Sequence, residues 1–353
     1  MTPKPAGGSR PPAWRRWLRR AVHSALALAL LACAALAAWW HETTWPKIAL
    51  GAPPVRLVVP PGASADTIAR QLHALGLASH PLTFRLLARC RGVGGQLKAG
   101  EYSLSGPLSL EGILDVLVRG DVVRRELTVP EGRSLDEIAA LVAAEGMDAA
   151  SFLAAARDPA PVRDLDPLAR DLEGYLFPDT YDVPQSPEAP HALVRRMALR
   201  FREVIGRELP RIAERKLTVR EVVILASIVE LETARPGERP RIAAVFLNRL
   251  EKGMPLQTDP SIIYALKKAG RWDGNIRKDD LDIDSPYNTY RRAGLPPGPL
   301  GSPGREAILA VIDPAPTKEL YFVSRNDGTH EFSETLEAHN RAVTRYQKRH
   351  AAS

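Results

Sequence analysis

Twenty nearly uninterrupted apolar residues, Ala21 to Trp40, follow a leader that carries Lys4, Arg10, Arg15, Arg16, Arg19 and Arg20 and no acid. As a helix rising about 1.5 Å per residue, the run spans roughly 30 Å, the thickness of a bilayer's hydrocarbon core. The basic flank predicts a cytoplasmic N-terminus, so everything after His41 is expected to fold on the far side of a membrane. A cleaved signal peptide is the competing reading, because Ala35, Ala37 and Ala38 resemble a cleavage site. The length of the run favours a retained anchor, as do Trp39 and Trp40, which stand where interfacial aromatics belong. Cys33, preceded by Leu30, Leu31 and Ala32, resembles a lipid-attachment cysteine but lies mid-span, where an ordinary membrane-buried thiol is expected.

The net charge of +7 would suggest a nucleic-acid partner, yet the leader's cations account for six of those seven charges. The remainder is close to neutral, which argues against nucleic-acid binding. With Cys33 in the span, Cys90 stands alone and no disulfide framework is available. His330 and His339 have no partner at a metal-ligand spacing, so neither a metal nor a cofactor is expected.

Beyond a predicted linker over residues 41–54 lies an internal repeat. Val59-Pro60-Pro61-Gly62-Ala63-Ser64-Ala65-Asp66-Thr67-Ile68-Ala69 recurs as Val129-Pro130-Glu131-Gly132-Arg133-Ser134-Leu135-Asp136-Glu137-Ile138-Ala139, identical at seven matched positions. Each copy reads as a strand ending at Pro, a Gly turn, a Ser N-cap and an amphipathic helix. Glu137, three after Ser134, completes a capping box. Another helix, capped by Ser109, is expected to stop at Gly120. Residues 55–125 thus form a small strand-and-helix module, either a spacer or a glycan binder, and residues 126–348 form a larger domain. The stretch 144–215 is Ala-rich, Arg-rich and broken by prolines, except for Leu172-Glu173-Gly174-Tyr175-Leu176-Phe177-Pro178-Asp179-Thr180-Tyr181. That run is either a loop presenting rings and carboxylates to a sugar or an aromatic loop pinned into the core.

Thr218-Val219-Arg220-Glu221 is a capping box opening a helix that is apolar on every side and ends with Glu230 and Glu232. Two residues apart at 100° each, these carboxylates point about 200° away from one another and cannot cooperate in one cleft. Glu232 follows Val229, Ile228 and Leu225 along the most apolar side, where burial would raise its pKa toward that of a general acid, and the helix C-terminus adds to the effect. The alternative is that both glutamates are structural, paired with Arg235, Arg239 or Arg241. A second helix through Ile242, Phe246 and Leu250 carries Asn248 and stops at Gly253. Asp259 before Pro260 reads as an N-cap, and Ser302 with Pro303 as the start of a further helix. A strand over Leu320 to Val323 and an Asp327-Gly328 turn complete the pattern.

Six runs occur in order: Ala226-Ser227-Ile228-Val229-Glu230-Leu231-Glu232-Thr233, Val245-Phe246-Leu247-Asn248-Arg249-Leu250, Leu256-Gln257-Thr258-Asp259-Pro260, Tyr287-Asn288-Thr289-Tyr290, Gly294-Leu295-Pro296-Pro297-Gly298 and Leu320-Tyr321-Phe322-Val323. Together they resemble the MltG, or YceG-like, endolytic murein transglycosylases, and the Pro-x-Gly-x-Ser module is similar to LysM domains. The resemblance implies an α+β fold with a single N-terminal transmembrane helix, a small LysM-like α/β module and a larger mixed α/β catalytic domain. It implies a bacterial inner-membrane protein whose C-terminal part is periplasmic or extracellular. Its implied activity is cleavage of the β-1,4 bond between N-acetylmuramic acid and N-acetylglucosamine in nascent strands, leaving 1,6-anhydro ends. The family's acid maps onto Glu232. Gln257, Asp259, Asn288, Thr289 and Tyr290 are expected to bind the glycan, with Glu230 and Asn248 in support and the cell-wall synthesis machinery as partner. Leu231 departs from the pattern, since a lysine often stands there. A lysozyme-like hydrolase, with Asp259 or Asp179 as second carboxylate, and a non-catalytic wall-binding scaffold are the rival readings.

Overall fold

The computed structural model describes residues 13–233 and 235–348, so Lys4 and Arg10 of the leader lie outside the described residues. The chain divides into two compact units, the first running to Val123 and including Pro184–Ser186, the second made of Arg124–Val183 and the residues from Pro187 onward.

The first unit contains, in chain order, α1 (Ala13–Thr44), β1 (Pro46–Ile48), β2 (Val55–Val59), α2 (Ala65–Ala74), α3 (Pro81–Cys90), β3 (Gly100–Leu104), β4 (Leu108–Ser109) and α4 (Leu110–Arg119). Within α1, Trp17–Thr44 is long and apolar enough to cross a membrane. Its large side chains, among them Leu26, Leu30, Leu36 and Trp40, are exposed rather than packed into a core. The helix outlasts the apolar run by four residues, and Thr43 and Thr44 turn their hydroxyls back onto the Trp39 and Trp40 carbonyls. Residues 41–54 are therefore not simply a linker: they hold the end of α1 and β1, which pairs antiparallel with β4 and buries Ile48.

β2 and β3 pair antiparallel from Val55 opposite Leu104 to Val59 opposite Gly100. The period-two alternation buries Leu57, Val59, Tyr102 and Leu104 on one face. Ile68 and Leu72 of α2, Phe84 of α3 and Leu114 of α4 cover that face. Ser64 caps α2 by accepting from Thr67 N, and Gly76, at φ 71°, supplies the left-handed residue that ends it.

The second unit contains β5 (Arg124–Thr128), α5 (Leu135–Ala144), α6 (Ala149–Ala156), β6 (Thr180–Pro184), α7 (Ala189–Glu214), α8 (Val219–Glu232), α9 (Arg239–Glu251), α10 (Asp259–Lys268), α11 (Arg305–Ile312), β7 (Tyr321–Ser324), β8 (His330–Ser333) and α12 (Leu336–Val343). β5 lies beside β6, and β7 and β8 form an antiparallel hairpin. Both capping boxes read from sequence are present, at Ser134 with Glu137 and at Thr218 with Glu221. The Ala- and Arg-rich stretch was not legible as a helix, yet it supplies the 26-residue α7. Pro210 lies inside it, so the helix forgoes one N–H donor to the carbonyl four residues back.

α8 is the hub. Every residue from Val222 to Val229 is buried, against α7, α9, α10 and α11. Full burial of each aliphatic side chain is worth about 1.5–3 kcal/mol relative to exposure, so the helix cannot shift without losing much of the unit's core. The Leu172–Tyr181 run is pinned inside that core: Tyr175, Phe177 and Tyr181 are all buried, so it presents no ring to a sugar. Tyr175 donates to Asp166 at 2.5 Å and Tyr181 to the Phe177 carbonyl at 2.5 Å.

Candidate active site

α8 delivers its two terminal glutamates into different surroundings. The Glu230 side chain is only 5% exposed and forms an ion pair with Arg239 Nη2 at 2.7 Å. Its other oxygen accepts from Gly304 N–H at 2.9 Å. Arg239 also lies 3.7 Å from Glu131, so two carboxylates share one buried guanidinium. Gly304 lets the Glu131 side chain approach closely, since a Cβ there would displace its carboxylate. Burial pushes the Glu230 carboxyl upward, opposed by Gly304 and Arg239. Tied on both oxygens, Glu230 joins α8 to α9 and to the start of α11.

Glu232, the last residue of α8, forms no ion pair among the described residues and stays partly accessible at the surface. Burial nonetheless pushes its carboxyl up to about 7, and the charge of Asp259 pushes the same way, while the Thr258 hydroxyl and Arg249 favour the ionised form. Both glutamates are half-buried by accessible area, and the larger upward push falls on Glu232, the one expected from the helix faces. What separates them is partnership: one carboxylate is neutralised by a bound cation, and the other is left to hold its proton.

Arg249, on α9 beside Asn248, is buried and ends on carbonyl oxygens: Nε donates to Leu320 O at 2.6 Å, and Nη1 to Leu256 O at 2.8 Å and Pro255 O at 3.2 Å. It has no carboxylate partner within ion-pair distance among the described residues, so its charge remains available to Glu232. Sequence reading overlooked it, although it lies inside the Val245–Leu250 run. Asn248 donates to Thr317 O at 2.9 Å and Glu319 O at 3.0 Å, fastening the approach to β7 rather than facing Glu232.

The Leu256–Pro260 run brings Gln257, Thr258 and Asp259 to the same place. Gln257 adopts φ 52°, a left-handed backbone uncommon outside glycine, and is exposed. Its N–H donates to Thr289 O at 3.1 Å, and its side-chain oxygen lies 3.4 Å from Arg249 Nη1. Asp259 is not the N-cap of α10 as expected: Thr258, extended at φ −109° and ψ 127°, holds that position and Asp259 begins the helix. The Asp259 carboxylate is thereby free to accept from Tyr290 Oη at 2.6 Å.

Asn288 and Thr289 do not present free polar groups. Asn288 is fully buried, its amide donating to Leu281 O and Ile283 O, both at 2.9 Å, while its oxygen accepts from Tyr290 N at 2.9 Å. Thr289 Oγ1 lies 2.8 Å from Ser261 Oγ and accepts from Thr258 N at 3.1 Å. These two set the shape of the loop, whereas Gln257, Asp259 and Tyr290 keep accessible surface near Glu232. Asp179 is ion-paired with Arg200 at 3.0 Å. Ser302, expected to cap α11, is buried with an unpartnered hydroxyl, and Gly304 holds the cap position.

A cleft of about 190 Å³ is lined by Gly132, Arg133, Leu231, Pro260, Tyr264 and Lys267, among others. It includes the chain neighbours of Glu232 and Asp259 but neither acid. Among the described residues no cluster of His, Cys, Asp and Glu is arranged to hold a metal ion.

Fold and site together define a mixed α/β protein in which a buried helix ends in a carboxyl that burial pushes upward and that forms no ion pair among the described residues. The sequence profile of the YceG-like family matches residues 57–345, and the chain belongs to that family. It is 32% identical over 312 residues to an endolytic murein transglycosylase of Bacillus subtilis, covering 83% of this chain and 84% of that protein. An endolytic murein transglycosylase of Streptococcus pneumoniae is 34% identical over 324 residues, covering 83% of this chain and 58% of that longer protein. The crystal structure of a yceG-like protein from Listeria monocytogenes superposes with a TM-score of 0.56 at 30% identity, covering 82% of this chain and 99% of that one.

Proposed function

We propose that this chain is an endolytic peptidoglycan lytic transglycosylase that cleaves the β-1,4 bond between N-acetylmuramic acid and N-acetylglucosamine, with Glu232 as its acid and base. The observation that carries the reading is a carboxyl pushed up to about 7 by burial, partly accessible and free of any ion pair among the described residues. Such a group is protonated near neutrality and can give its proton to a leaving oxygen.

In the first step the C1–O bond to the leaving sugar breaks as Glu232 protonates that oxygen and oxocarbenium character develops at C1. The resulting carboxylate, favoured by Arg249, then takes the proton of the muramoyl 6-hydroxyl as O6 closes onto C1. The glutamate ends protonated, as it began, and no water is consumed. One carboxyl therefore suffices. A hydrolase would need a second carboxylate to activate water or attack the sugar. Asp259 is the nearest candidate and is held by Tyr290. In this reading Gln257, Asp259 and Tyr290 line the glycan path, Asn248, Asn288 and Thr289 hold the loops that carry them, and Glu230 holds the end of α8.

The β2, α2, α3, β3 order supports the further reading of the first unit as a LysM-like glycan module. The exposed apolar α1 supports an inner-membrane anchor with the second unit on the outer face, near the machinery that synthesises new strands. Cutting nascent glycan there would terminate strand elongation.

Mass spectrometry of peptidoglycan treated with the protein tests the activity. Anhydro ends are expected from the wild type and none from Glu232→Gln. Ends heavier by one water would assign a hydrolase, and near-normal turnover by Glu232→Gln would remove the acid from its place.

A further inference from the structure

Thr258 is 1% exposed and its hydroxyl has no hydrogen-bond partner at normal geometry among the described residues. Buried hydroxyls without partners are rare, because the group has given up water and received nothing in exchange. Thr258 is also rigidly held. Its N–H donates to Thr289 Oγ1 at 3.1 Å, and its carbonyl accepts from Ser261 Oγ at 2.7 Å and Ser261 N at 3.2 Å. The Thr289 and Ser261 hydroxyls, which could have satisfied Thr258 Oγ1, bond instead to each other. Its backbone is thus fixed at the start of α10, and its hydroxyl lies beside the Glu232 carboxyl at the end of α8, where it favours the ionised form.

We propose that Thr258 is a positioning residue for Glu232: its hydroxyl stands unpartnered while Glu232 is protonated and donates a hydrogen bond to the carboxylate left behind when the proton departs. The inference rests on the reading of Glu232 as the acid. A protonated carboxyl makes a poor acceptor and a carboxylate a strong one, so the bond strengthens as charge develops, which is the condition for lowering a barrier rather than merely binding. The neighbouring charges fit the same cycle. Arg249 of α9 also favours the ionised form, Asp259 of α10 opposes it, and Tyr290 draws on Asp259. Glu230, on α8 itself, is neutralised by Arg239.

The test is Thr258→Val in the full-length protein, which keeps the shape of the side chain and deletes the donor. A hydrogen bond to a charged group corresponds to a loss of roughly ten- to a hundredfold in kcat, with KM little changed. Glu232 becomes the weaker acid, so the alkaline limb of the kcat–pH profile moves to higher pH. Because no resting hydrogen bond is removed, the thermal midpoint is expected not to fall, and Thr258→Ser restores both kcat and the limb. A valine variant with wild-type kcat and an unmoved limb overturns the proposal. Thr258→Ala carries the same expectations for kcat and the limb should valine fail to pack. Glu232→Gln, run alongside, separates the two readings: if it is inert while Thr258→Val is normal, only the role of Thr258 falls, whereas an active Glu232→Gln removes the acid itself.

Discussion

Replacing Glu232 by Gln should make the protein more stable at the pH where it works, and the gain can be worked out from the site. A carboxyl whose folded pKa lies at about 7 against 4.5 in the unfolded chain binds its proton more tightly when folded. Between those values folding takes up a proton, so stability falls as pH rises. The shift of about 2.5 units corresponds to about 3 kcal/mol at pH 8. It falls to about 2 kcal/mol at pH 6 and almost vanishes below pH 4. Gln mimics the neutral form, so the variant escapes this penalty. Glu173, also pushed up to about 7 by burial, is present in both proteins and cancels in the difference. Urea unfolding of wild type and variant in detergent, from pH 4 to pH 8, should give midpoints that coincide at the acid end and diverge as pH rises. A gain that is flat with pH, or a variant less stable at pH 8, would refute the account of Glu232 as an unpaired carboxyl paying for its own ionisation.

Two further outcomes follow from the neighbouring groups. Glu230→Ala strands the Arg239 guanidinium in a site where its own side chain is 10% exposed, and should cost about 3–5 kcal/mol by chemical unfolding, less whatever Glu131 recovers by moving closer. A cost under about 1 kcal/mol would place the pair among ordinary surface bridges. Asp259→Asn removes the negative charge that helps keep Glu232 protonated, so the alkaline limb of the kcat–pH profile should move to lower pH, opposite in direction to Thr258→Val; an unmoved limb would show that Asp259 does not act on Glu232.

Much of the second unit was legible because its signals are local. The capping boxes at Ser134 and Thr218 each join residues three positions apart, and Gly253 marks the end of α9, as Gly76 and Gly120 mark helix ends in the first unit, through their own backbone freedom. The candidate acid was harder to read. Helix periodicity placed Glu230 and Glu232 on opposite sides, with Glu232 along the more apolar one, but it carries no sign that Arg239 and Gly304 tie down Glu230 while no ion pair reaches Glu232 among the described residues. Asn288 and Thr289 were expected to bind the glycan on the resemblance to the family, while the fold commits their polar atoms to its own loop. α7 was hidden by its prolines, since propensity carries no information about where along a helix a proline will fall.

The amino-acid sequence by itself determined the apolar span, the repeated strand and capped-helix starts, the family and the helix that ends in two glutamates, since each is written in residues close together along the chain. The tertiary structure alone decided which groups stand beside each glutamate. Glu230 meets Arg239 nine positions away and Gly304 seventy-four away, whereas Glu232 meets the hydroxyl of Thr258 and the charges of Arg249 and Asp259. A carboxyl's affinity for its proton is set by what stands beside it in space, and only folding brings those neighbours together.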